Sequence, residues 1–176
     1  MQILKEYYST KEKPIILLVF LLISSILLTF FLPTIPEKFL SALIASFSIF
    51  TALLFNLLLL LINMIKNINF KTDIKSRKDF AKLKLDLMKK CLKIITASIF
   101  FSISDIVLLL IIALDYHRLI ELIHNDIVIL CLKLLIHFMT YLLMLLFFNS
   151  LYATLKIMHM LIKNEVENKE KEINFN

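Results

Sequence analysis

The sequence predicts an all-α membrane protein, a four-transmembrane-helix bundle with helices extending into the cytoplasm. Three observations predict it. Hydrophobic residues make up 60% of the 176 residues, with a mean hydropathy of +0.85, against an apolar share of roughly 45–50% in soluble domains. The apolar residues gather into four long runs, and a spanning helix needs about 20 mostly apolar residues. The chain also contains no glycine and only three prolines, where glycine ordinarily makes up about 7% of a chain. Without glycine there is no phosphate-cradling loop and no GxxxG seam, and the helices are expected to be straight and continuous.

The spans read as 14–32, 39–63, 94–114 and 127–158, with a cytoplasmic helical segment at 66–93. One membrane domain, 1–176, uses the whole chain. The first run is long for a signal peptide, and no small-x-small cleavage site follows it. It reads as a retained helix.

Charge sets the expected orientation. Lysine and arginine stay on the cytoplasmic side of a bacterial membrane. Three basic residues lie in 1–13, ten in 66–93 and four in the tail from Lys156, while the outer loops hold one each, Lys38 and Arg118. Lys133 falls inside the last run. Both termini and the central segment are therefore expected inside, in the bacterial inner membrane. The net charge of +6 is then mostly a topology signal, with contact to anionic headgroups. Only Phe70 and Phe80 interleave the basic segment, so base stacking is unsupported and no direct nucleic-acid binding is expected.

Along the chain, Ile3, Leu4, Tyr7 and Tyr8 suggest an interfacial N-terminal tail. Pro14 suits the first turn of helix one. Thr34 with Glu37 resembles a capping box, and Pro36 suits a helix start, so the first outer loop is a tight hairpin. In helix two, Ser41, Ala45, Ser48 and Ala52 are spaced four, three and four, and Asn56 continues the face. Small residues at this spacing allow close helix approach. One reading is packing inside the bundle. The other is a seam between subunits, or a pore lining.

Ser76 to Asp79 looks like another cap. From Phe80 through Leu83, Leu87, Cys91 and Ile94 the apolar residues recur at threes and fours. One helix is predicted from about Arg77 to Leu114, nearly 60 Å long at about 1.5 Å per residue. Its inner half is an amphipathic stalk, where Phe80, Leu83 and Leu87, flanked by Lys78, Lys82 and Lys84, offer an apolar seam to a partner. Helix two is expected to reach about Asn67 and helix four about Glu167, with Asn168 to Asn176 frayed.

Asp105 and Lys133 are the deep ionisable residues, and intramembrane charges default to functional hypotheses. Measured from the helix ends their depths differ by about 4–5 Å, so an Asp105–Lys133 pair with His137 close by is expected. Ser98 and Ser102 share the Asp105 face. Asn149, Tyr152, Lys156 and His159 form a polar stripe down helix four, read as bundle or subunit contact. Cys91 and Cys131 fall at opposite membrane faces and cannot bridge within one chain. His117 and His124 in the second outer loop read as solvated, so no metal and no cofactor is expected.

Nothing here points to an enzyme: no nucleophile–base arrangement, no HExxH, no GxSxG and no carboxylate pair in one plane. Transport fits poorly too, because neither a broken midplane helix nor an inverted repeat is visible.

The layout as a whole, with four spans, short outer loops, both ends inside and a basic helical section at 66–93, resembles the four-span membrane subunit of the bacterial Kiwa anti-phage system. The resemblance implies a homotetramer in the inner membrane that senses phage attack and carries a cytoplasmic DNA-binding effector on its inner helical ends. The favoured expectation is therefore an oligomeric sensor and scaffold that docks an effector protein. The rival is a pore-forming effector that permeabilises the inner membrane, with a holin as a third option. The stalk separates them, because a simple pore has no need of a long cytoplasmic helix with an apolar seam.

Overall fold

The computed structural model describes residues 14–66, 75–114 and 126–174. They form four helices and, among the described residues, no strand: α1 (Pro14–Phe31), α2 (Glu37–Lys66), α3 (Lys75–Ala113) and α4 (Asp126–Asn174). The N-terminal tail, the 67–74 connection and the 115–125 connection with His117 and His124 lie outside the described residues.

Three helical stretches are long and apolar enough to cross a membrane: Glu37–Lys66, Lys84–Ala113 and Ile127–Lys163. The fourth expected span, α1, offers a shorter apolar stretch, Ile15–Phe31. The outer surface is rich in exposed large apolar side chains, among them Phe20, Phe30, Phe31, Ile49, Leu59 and Leu155. A soluble monomer rarely carries contiguous apolar patches above a few hundred Å². Lipid is the solvent that suits this surface.

The helix limits follow local chemistry. Pro14 opens α1, where its missing N–H costs nothing. The helix stops before Pro33. α2 begins at Glu37, with Phe39 and Leu40 both donating backbone N–H groups to the Pro36 carbonyl. Pro36 is therefore the cap, and the expected Thr34 capping box is not used. Ile35 precedes a proline, which disfavours helical geometry at that residue. α3 starts at Lys75, placing Ser76 inside the helix rather than at its cap. α4 continues to Asn174, past the expected end near Glu167. The segment expected to fray from Asn168 is thus helical to Asn174.

The packed pairs are α3 with α4, α2 with α3, and α1 with α4. α3 is the hub: half of its candidate span is buried, against 17% in each of the spans of α2 and α4. Its buried side includes Met88, Cys91, Ile95, Ser98, Phe101, Ser102, Asp105 and Leu109. α2 turns Leu40, Phe47, Thr51, Leu54 and Leu61 toward it, a heptad-like seam typical of helices crossing at small angles. Phe47 of α2 and Phe147 of α4 meet edge-to-face with centroids 5.0 Å apart, so α2 and α4 also touch through an aromatic contact.

Hydroxyl groups inside lipid need partners, and here most find one a turn back in their own helix. Ser25, Thr29, Ser48, Thr51, Thr96, Thr140 and Thr154 each donate to the carbonyl four residues earlier, at 2.7–3.0 Å.

Candidate functional site

A buried polar track runs along the hub helix. Ser98, Ser102 and Asp105 are all fully buried. Ser98 meets Ser150 of α4, with hydroxyl oxygens 2.7 Å apart, and Ser150 donates to the Phe147 carbonyl. Ser102 lies 2.7 Å from the Thr51 hydroxyl of α2 and 3.2 Å from the Phe47 carbonyl. Two adjacent serines on one face of α3 thus tie it to both neighbours. The expected Ser98–Ser102–Asp105 face is present. Their partners, Thr51 and Ser150, were not singled out in the sequence, where each is one small polar residue in an apolar run.

Asp105 departs from expectation. Among the described residues neither carboxylate oxygen has a hydrogen-bond partner, so no hydrogen bond joins Asp105 to Lys133 in the expected pair. The reason is register. The antiparallel Ser98–Ser150 contact puts Asp105 level with Leu143 of α4. Lys133 lies ten residues further toward the start of α4, roughly 15 Å along the helix axis, level with the end of α3. The depths inferred from the loop ends missed this slide of α4 outward. His137 is buried but bonds locally, its Nδ1 2.9 Å from the Lys133 carbonyl oxygen. A buried carboxylate is costly as an unpaired charge, and this one sits near mid-span.

Tyr141 closes the end of the α1–α4 contact at the C-terminus of α1. Its hydroxyl donates to the Leu32 carbonyl at 2.8 Å, satisfying one of the carbonyls that a helix terminus leaves open.

The α2 stripe faces outward. Ser41, Ala45, Ser48, Ala52, Asn56 and Asn63 are all exposed, on the sides of α2 away from the buried Leu40–Phe47–Thr51–Leu54–Leu61 seam. Packing inside the bundle is therefore not the use of this face. Tyr152, Lys156 and His159 of the α4 stripe are likewise exposed, and Asn149 is partly buried.

At the end of the bundle away from the 115–125 connection, α3 and α4 continue beyond Lys66, the last described residue of α2. The Thr51–Ser102 contact levels Lys66, the last residue of α2, with Leu87 of α3. From there α3 runs on to Lys75, and the register of α4 carries its Asn174 to the same level. Leu87 and Lys84 are partly buried and Lys82 is exposed. Lys78, Phe80 and Leu83 belong to α3, but their side chains lie outside the described residues. The basic start of α3 is level with the Glu165–Glu172 stretch of α4.

Cys91 is buried and Cys131 exposed, at opposite ends of the α3–α4 pair. Among the described residues no three His, Cys, Asp or Glu side chains gather in a metal-holding group. No family profile, curated protein or solved structure matches the chain.

Proposed function

We propose that this protein is a four-pass inner-membrane sensor and scaffold, with both termini cytoplasmic, which oligomerises and docks a cytoplasmic effector in anti-phage defence. Its role is non-catalytic. The observation that carries this reading is the inner extension. α3 and α4 run about 12 residues past the level of Lys66, the last described residue of α2, near 18 Å at the helical rise. A membrane anchor has no need of that length, and a docking platform does. The layout's resemblance to the Kiwa membrane subunit supports the same reading and suggests a homotetramer.

The exposed α2 stripe supports oligomerisation. An asparagine amide facing hydrocarbon lacks partners that a sister subunit supplies, and interhelical bonds of this kind contribute roughly 0.6–2 kcal/mol. The same stripe favours the second reading, a pore. Several copies with Ser48, Ala52 and Asn56 turned to a common axis would present a polar lining.

The test is Leu83→Asp with Leu87→Asp. The expected outcome is loss of the effector with membrane insertion intact. An unchanged complex mass would sink the docking role of the stalk.

A further inference from the structure

The inner end of the bundle contains a cavity of about 290 Å³ between α2, α3 and α4. Leu61 and Met64 from α2, Met88 from α3, and Met158 and Leu161 from α4 line it, with Lys84 as its one cationic side chain. Methionine is unbranched and adaptable, and suits a pocket whose occupant varies in shape. An apolar lining with one charged group is the usual construction of a small-molecule site.

The surroundings are also charged. Lys66, Lys89, Lys90, Lys93, Lys156 and Lys163 are exposed, and the helix register sets them all at or near the level of the cavity. The cavity therefore opens within a cationic belt at the edge of the apolar zone.

We propose that this cavity is a binding site for an anionic phospholipid, with a segment of acyl chain among the methionines and the headgroup phosphate at Lys84 and the surrounding lysines. Basic pockets between helices at the cytoplasmic edge suit such headgroups. A partner helix about 10 Å across does not fit this volume. A free anion would gain nothing from the apolar lining. The site rests on the membrane placement of the three long helices and not on the effector-docking role.

The experiment uses the full chain in a neutral detergent. Thermal stability is followed while phosphatidylglycerol, phosphatidylcholine with the same acyl chains, or inorganic phosphate is added. Phosphatidylglycerol is expected to raise the melting temperature saturably, with phosphatidylcholine much weaker and phosphate without effect. Met64→Trp narrows the cavity from its partly exposed side and is expected to abolish the shift. Lys84→Glu keeps the apolar part of the lining and is expected to weaken phosphatidylglycerol roughly 10- to 30-fold, as reversal of one lysine charge beside the headgroup implies.

Equal stabilisation by both lipids, or an unaltered phosphatidylglycerol response in Met64→Trp and Lys84→Glu, overturns the proposal. A shift with phosphate alone does so too, by making the site a bare anion site. Alkaline carbonate extraction of the same chain from membranes separates the two levels of failure. A chain that washes off refutes the membrane placement, and one that stays but shows no lipid preference refutes only the site.

Discussion

The Ser98 and Ser150 hydroxyl oxygens stand 2.7 Å apart, both fully buried, and this contact sets the register of α3 against α4. Buried apolar neighbours such as Ile94, Ile95, Phe101, Leu146 and Phe147 tolerate sliding, and a hydroxyl pair does not. Ser98→Ala with Ser150→Ala is expected to show a coupling of about 0.6 kcal/mol, up to about 1.7, in a double-mutant cycle of unfolding in detergent. Zero coupling would mean that the register is held elsewhere.

Asp105 and Lys133 are expected to behave independently. Their separation along the bundle predicts a coupling below about 0.5 kcal/mol in the corresponding cycle. The neutral isostere Asp105→Asn should be at least as stable as the parent, because neither carboxylate oxygen accepts a hydrogen bond. A strong loss in Asp105→Asn that Lys133→Met rescues would restore the ion pair and refute the register.

Tyr141→Phe removes the donor to the Leu32 carbonyl. A lost hydrogen bond of this kind costs about 0.5–1.5 kcal/mol. Because α1 packs chiefly on α4, the change is expected to loosen α1 first. Protease cleavage in the loop after Phe31 should accelerate before global stability falls. Equal loss everywhere would contradict a local latch.

The α2 stripe gives a test of assembly. Ser48→Phe and Ala52→Phe place large groups on exposed positions, so the single chain should fold as before. A subunit seam predicts a lower complex mass with little change in monomer unfolding. An unchanged mass would leave this face to lipid.

Orientation is open to the native cysteines. Cys131 is exposed and Cys91 buried. With both termini inside, a membrane-impermeant maleimide added outside should label Cys131 and leave Cys91 unmodified. Labelling of Cys131 only after access to the cytoplasm would invert the topology.

The helices were legible because long leucine-rich runs without glycine leave the backbone no alternative to hydrogen bonds within one helix. The long inner reach of α3 followed from its uninterrupted threes-and-fours pattern through Leu83, Leu87 and Cys91. Register was not legible. In a helix apolar on all sides, periodicity no longer marks the inner face, and the loop at 115–125 does not reveal how far α4 slides past α3. The paired serines and Thr51 decide it, and only Ser98 and Ser102 stood out in the sequence, through their spacing from Asp105. The α2 stripe was visible as a pattern, but its direction was not. Small residues suit a seam inside the bundle and a seam between chains equally well.

The most direct measurement is the mass of the native complex after gentle detergent extraction, with the neighbouring genes co-expressed. A homo-oligomer carrying a soluble protein is the predicted result. A bare oligomer that passes ions across liposomes would contradict the scaffold and establish a pore in its place.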